Sequence, residues 1–293
     1  MGTWAVPKSD RQQRDVGNVG HVKPSLLVVG LRAEARIVAG PNVRMVIGGG
    51  DSLRLAQAIE VALLGGVSSI MSFGLAGGVA PGLRPGTVVI ASCVLAGSEK
   101  LEADGTWSRD LAGAFSGAVI AAIAGVDRPV HTAVAKRDLH ITTGAATADM
   151  ESHIAARAAN RHKLPFASVR VVADPSDCDL PRAALVAMKP DGKIDATAVL
   201  RSVLHNPGQL PALIRTSIHA AAAFDSLRSA RHIVGTFLAD QSRRGKLEDF
   251  ASVATSRIFP RSNEMCHACI SEFAVVGDPC RCLGVAPDGG VGG

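Results

Sequence analysis

Between residues 25 and 182, short continuous apolar runs alternate with stretches whose apolar residues recur at helical spacing, the pattern of an α/β architecture. SLLVVG (25–30) opens the series and stops at Gly30, and VRMVI (43–47) runs into Gly48-Gly49-Gly50-Asp51. A helix is expected from about 52 to 64, with Leu53, Ala56, Ile59, Ala62 and Leu63 on one face. SSIMSF (68–73) ends in GLAGG and a Pro/Gly turn, and TVVIASCV (87–94) reads as the next strand. LAGAFSGAVIAAIAGV (111–126) reads as a buried helix of small residues, with a strand expected near 130–135. A helix follows over 151–163. FASVRVVA (166–173) is a strand that stops at Asp174-Pro175, where proline disfavours continuation. Beyond 182 the pattern turns helical, with two amphipathic helices broken at Asn206-Pro207-Gly208. Periodicity weakens from about 236.

These patterns divide the 293 residues into four stretches. They are a polar, disordered tail (1–23), an α/β domain with a mixed central sheet flanked by helices (24–182), a helical extension (183–235) and a poorly ordered tail (236–293). The 16 uncharged residues of 111–126 fall short of the roughly 20 that a bilayer requires. The N-terminus lacks a continuous apolar segment of the secretory type, and Cys93 and Cys178 look like reduced thiols, so a cytoplasmic protein is expected. A net charge of +5 fits either mild attraction to phosphate esters and lipid surfaces or ordinary surface arginine; nucleic acid is not an expected partner. Cys266, Cys269, Cys280 and Cys282 hint at zinc, but the single-residue spacer of the second pair is atypical and no coherent small fold surrounds them. No metal site is assigned.

Chemistry is expected where the strands end. Gly48–Gly50, Gly74 with Gly77-Gly78, and Gly144 would let backbone amides approach a ligand at the edge where α/β sheets bind ligands. None of these loops has the dinucleotide or P-loop spacing, which argues against NAD and ATP. Glu34, Glu151 and Asp174 fall after the first strand, at a helix start and at a strand end. Any one of them could be a cap or a surface acid; three at the loop ends of one sheet point to a site. In TADMES (147–152), two acids flank a methionine at a helix entrance, and a half-buried carboxylate there is costly unless something bonds to it.

The order VVGLRAEARI, IGGGD, SFGLAGGVAPGLRPGTVVIA and TADMESHIAARAANRHKLPFASVRVVADPSD resembles the purine nucleoside phosphorylase and methylthioadenosine nucleosidase superfamily over residues 24–182. Within it, DMESH, RVVADP and the helical region to about 230 look most similar to the hopanoid-associated phosphorylases. The resemblance implies a nucleoside phosphorylase-like fold and cleavage of an adenine nucleoside by phosphorolysis. The substrate is expected to be adenosylhopane-like, with inorganic phosphate as co-substrate and no other cofactor. By the same resemblance, Glu151 would accept hydrogen bonds from ribose hydroxyls while Met150 packs on the sugar. Asp174 would protonate the departing purine, and Glu34 would position the attacking group. Phe73, Gly74, Ala76 and Gly77 would line the substrate site, with Phe73 and Phe166 candidates to stack on the base, core packing being the better-suited role for Phe166. Gly49, Gly50 and Arg32 would hold phosphate. A homo-oligomer is expected, with peripheral contact to the inner membrane if the substrate is hopane-linked.

The chain departs from the family pattern in ways that bear on the nucleophile. Leu75 stands where the family carries Ser or Thr, Ser72 where many phosphorylases carry Arg, and VADP replaces the commoner SD ending. A hydrolytic nucleosidase acting on methylthioadenosine or S-adenosylhomocysteine is therefore an alternative, as is a nucleoside-binding protein without activity. Arg201, Arg215, Arg228 and Arg231, interspersed with Leu, Ile and Ala, give the 183–235 helices two readings. They could lie at a lipid surface, or they could cover the sheet or form a subunit contact.

Overall fold

The computed structural model describes residues 23–258 except 41, 188 and 190, with side chains described as far as 241. The chain divides into two compact units, 1–249 and 250–293. The first holds the α/β domain; of the second, only the end of a helix reaching Ile258 is described. The 1–22 stretch and the four C-terminal cysteines lie outside the described residues.

Eight strands form one mixed sheet: β1 (Ser25–Val29), β2 (Val43–Ile47), β3 (Ser69–Gly78), β4 (Val88–Ala96), β5 (Glu99–Glu102), β6 (Val119–Gly125), β7 (Thr147–Asp149) and β8 (Phe166–Asp174). The path runs β2-β1-β3-β7-β6-β4-β5, and β8 pairs with both β3 and β4. Strands β3, β8, β4, β6 and β7 thereby close on themselves, with β1–β2 and β5 as extensions. Pairing of β8 with β3 is parallel and in step from Ile70↔Phe166 to Ala76↔Val172; it then slips, so that Gly77 faces Asp174 and Ala173 is the extra residue.

Helices cover both faces. They are α1 (Arg32–Val38), α2 (Ser52–Leu64), α3 (Gly105–Ala114), α4 (Ala133–Thr143), α5 (Ser152–His162), α6 (Arg182–Leu185), α7 (Ala196–His205) and α8 (Leu210–Ile258). Leu55 and Ile59 of α2 and the alanines of α5 pack on Leu26, Val28 and Ile70. Alanine at these α5 positions lets the helix lie close to the sheet. On the other face, Trp107 and Leu111 of α3 and Ala223, Leu227, Ala230, Val234 and Leu238 of α8 pack on Leu27, Val29, Met71 and Phe73. Trp107 and Phe237 meet edge to face at 5.0 Å.

The α/β class, the mixed sheet, α2, α5 and the helix pair interrupted at residues 206–208 are as the sequence suggests. The 111–126 stretch is not one helix. α3 starts at an Asp104 cap and ends at Ala114, Gly117 turns the chain at a φ of 75°, and β6 begins at Val119. Ala and Gly suit helix and strand too evenly for periodicity to separate the two halves. The strand expected near 130–135 is instead the Thr132-capped start of α4. α8 continues helical to Ile258, past the expected end of the extension near 235.

Candidate active site

A cavity of about 290 Å3 opens at the C-terminal ends of β1, β6, β7 and β8, beside the last residues of β3. Its charged lining is acidic: Glu34, Asp149, Glu151 and Asp174. The rest is mostly aliphatic, including Leu31, Leu75, Val126, Val130, Leu180 and Ile194.

Glu34 is held from three directions. It sits in the first turn of α1, 2 % exposed, and one carboxylate oxygen accepts from the Gly30 and Leu31 amides at 2.8 Å each. The other accepts from the Leu75 amide, also at 2.8 Å. Burial raises its pKa, and the amides and Arg170 oppose the rise.

The acid pair of the DMES stretch divides its work. Asp149 turns toward α5: Oδ1 accepts from the amides of Glu151 (2.8 Å) and Ser152 (2.6 Å) and from Arg170 Nη2 (3.1 Å). Its Oδ2 is buried with no protein partner. Glu151 remains in the cavity lining, 3.7 Å from Arg170 Nη1. Space for it is made by glycine, since a Cβ at Gly30 would lie 2.8 Å from Glu151 Oε1. Burial pushes the Glu151 pKa up to about 8; Arg170 opposes this, and Asp149 and Glu34 add to it.

Beneath these acids lies Arg170, fully buried on β8. It donates to Ser72 Oγ at 2.5 Å, Ser152 Oγ at 3.1 Å and Asp149. A Cβ at Gly74 would lie 2.7 Å from Glu34 Oε1 and 2.9 Å from Arg170 Nη1. One guanidinium thus faces Asp149, Glu151 and Glu34. A second buried cation, Lys136 of α4, bonds to Asp174 at the end of β8. Burial raises the Asp174 pKa, against the opposing pull of Lys136 and, more weakly, His219 of α8.

The structure brings Glu34, Leu75, Ala76, Gly77, Met150, Glu151 and Asp174 to one cavity. Gly74 lies just under it, against Glu34 and Arg170. Phe73 and Phe166 do not reach it; both are buried in the two hydrophobic cores. Arg32 turns outward, its Nε donating to the Asp191 carbonyl at 2.9 Å and Nη2 lying 3.5 Å from the Asp191 carboxylate. Neither Gly49 nor Gly50 lines the cavity; both are left-handed, at φ of 64° and 78°, in the turn after β2. Arg170 and Lys136 are not among the residues expected at the site. Arg170 is visible only as the first letter of RVVADP, and Lys136 lies just past a segment read as a strand.

A cavity at the strand ends of a mixed sheet, with acids arriving from the first helix, a DMES turn and the last strand, defines a nucleoside-cleaving enzyme fold. The chain belongs to the phosphorylase superfamily, whose family model matches residues 38–205, and it is an enzyme of the nucleoside phosphorylase or nucleosidase class. Among solved structures it is similar to the 5′-methylthioadenosine/S-adenosylhomocysteine nucleosidase of Neisseria meningitidis in complex with methylthio-immucillin-A. The two share 16% identity with a TM-score of 0.49, and the match covers 62% of this chain and 98% of that one. It is also similar to the futalosine hydrolase of Helicobacter pylori, at 14% identity and a TM-score of 0.47 over 63% of this chain and 98% of that one. No curated protein matches it in sequence.

Proposed function

We propose that this enzyme cleaves the N-glycosidic bond of an adenine nucleoside, with water as the attacking group. The convergence of Glu34, Glu151 and Asp174 on one cavity carries the reading. In it, Glu151 accepts hydrogen bonds from the sugar hydroxyls and Met150 packs against the ring. Asp174 transfers its proton to the purine as the C–N bond electrons move into the base. Glu34 takes a proton from the water that captures the sugar cation. Products are free adenine and the sugar, and solvent returns a proton to Asp174 and takes one from Glu34. A general acid and base of this kind each contribute about 10²–10⁴-fold.

Water is favoured over phosphate by the charges around the cavity. No Lys or Arg lines it, Arg32 faces Asp191, and Arg170 and Lys136 are engaged by Asp149 and Asp174. A phosphate dianion would meet carboxylates without a free cation. The observation favouring phosphorolysis, with inorganic phosphate as co-substrate, is the left-handed Gly49-Gly50 turn, because Gly48 beside it packs against Glu151.

For the substituent on the sugar, an apolar group such as hopane is supported by the wall of Leu180, Ala184, Ala187, Ile194 and Ala220. The cavity is at the small end of the roughly 300–1,000 Å3 typical of ligand pockets, so a polycyclic tail would project outward. Leu200, Leu204, Leu210, Ile214 and Ile218 on α7 and α8 are exposed. In this reading they meet a lipid surface or a second copy of the chain. No helix among the described residues is long and apolar enough to cross a membrane.

Adenosine, methylthioadenosine and adenosylhopane incubated with and without phosphate test all of this through free adenine. Release without phosphate, fastest from adenosylhopane, is expected. Strict dependence on phosphate would replace hydrolysis by phosphorolysis, and no release from any of the three would end the reading.

A further inference from the structure

Among the described residues, Lys136 is a fully buried lysine. It is 0 % exposed, yet it lies on α4, a helix whose other turns face solvent. Its Nζ donates to Asp174 Oδ2, to the Pro175 carbonyl at 2.9 Å and to the Cys178 carbonyl at 2.8 Å. Three acceptors match the three donors of an ammonium group. The two carbonyls hold Nζ whatever the state of Asp174, so the cation is anchored to the backbone just after β8. Asp174 Oδ1 is not the oxygen that Lys136 engages, and the residue lines the cavity.

We propose that Lys136 is a positioning residue that fixes Asp174 through Oδ2 and lowers its proton affinity, so that the proton on Oδ1 leaves readily for the base. This rests on the reading of Asp174 as general acid. The proton starts on Oδ1 and ends on the purine nitrogen, and the carboxylate left behind is neutralised by an ammonium already in place. No nearby charge must reorganise during the step. Without Lys136, burial would be opposed only by the weaker pull of His219, and Asp174 would hold its proton more tightly and give it up less readily. The other charged or titratable groups near this pair are His219 and Arg215 of α8, with Asp177 and Cys178 just beyond β8.

The inference predicts an unusual pairing of effects. In Lys136→Met, the alkaline limb of the kcat/KM profile for adenosine should move up by about 1–3 pH units, the range by which an adjacent opposite charge shifts a carboxyl. The plateau should fall by roughly 10–100-fold, because a weaker acid transfers its proton more slowly. A purely structural lysine would lower the plateau and leave the limb in place, and that result overturns the proposal. Repeating the profile in His219→Gln removes the nearby imidazole's titration from the limb. If Lys136→Met does not fold, Lys136→Gln, which keeps two donors for the carbonyls, carries the same test.

A third measurement needs no variant. 15N NMR of the wild-type lysine side chains should show Lys136 as ammonium throughout the limb, and a neutral amine there overturns the inference. Asp174→Asn separates the two levels of argument. Full activity in that variant removes the general-acid reading itself. An inactive Asp174→Asn beside an unshifted Lys136→Met profile removes only the role of Lys136.

Discussion

Replacing Glu151 with glutamine should make the free protein more stable in alkali while removing most of its activity. The folded protein holds the Glu151 proton to about pH 8, against an ordinary value of 4.5. Between those values the folded state binds more protons than the unfolded chain, so this residue's contribution to stability falls as pH rises. At about 1.4 kcal/mol per pH unit, the ionised form costs the fold on the order of 4–5 kcal/mol above pH 8 as an upper bound. Glutamine keeps the shape and cannot ionise. It lacks part of the attraction to Arg170, so a net gain of about 1–3 kcal/mol is expected at pH 9, roughly 3–10 °C in Tm. At pH 5 the two proteins should melt within a degree or two of each other, since both are then neutral at this position. Calorimetry of both proteins from pH 5 to 9.5 reads the difference for Glu151 together with the acids beside it, because the titrations of distant groups cancel. Parallel Tm curves, or a variant that melts lower at every pH, would refute the claim that burial keeps Glu151 protonated. Adenine release measured on the same samples should drop together with substrate affinity.

Gly30→Ala should also reduce activity sharply, because the new Cβ would fall 2.8 Å from Glu151 Oε1 and displace the carboxylate; unchanged kcat/KM would mean the Glu151 position is not critical. Arg170→Met should destabilise the fold by about 3–5 kcal/mol in chemical denaturation, by leaving the buried Asp149 without its cation and Ser72 and Ser152 without their donor. Leu227→Ala, far from the cavity, should cost about 2–5 kcal/mol in chemical denaturation, because this residue of α8 is 0 % exposed in the main core. A loss below 1 kcal/mol would mean that α8 is not part of the folded domain.

What the sequence reveals of this molecule follows the strength of its periodic signals. β1, β2, α2 and β8 combine branched or leucine-rich runs with unambiguous stops, and they are legible at once. β6 is not, because VIAAIAG carries little that separates strand from helix, and the reading of 111–126 failed there for that reason. Glu34, Met150, Glu151 and Asp174 can be located because motif order ties them to strand ends. Their partners cannot, since strand pairing and helix docking alone bring Arg170 to Asp149 across 21 positions of chain and to Ser72 across 98, and Lys136 to Asp174 across 38. The phenylalanines mislead for a related reason: Phe73 sits one residue from the cavity-floor glycine, but strand alternation turns it to the opposite face and into the core.

The slip between β3 and β8 has a consequence for how this active site could be altered. Up to Val172, alternation places Arg170 and Val172 on the α5 side of the sheet and Val169 and Val171 on the α8 side. An unbroken strand would therefore present residue 174 on the same side as Arg170, crowding all the acids about one guanidinium. Counting Ala173 as the extra residue reverses that parity and sets Asp174 opposite Gly77, within reach of Lys136 and His219. The aim of the proton donor is thus a matter of arithmetic in the main chain, to which scanning every side chain in turn would be blind. A β8 that kept Ala173 and paired it in step with Gly77 would leave each chemical group in the polypeptide and point one of them through the wrong face of the sheet.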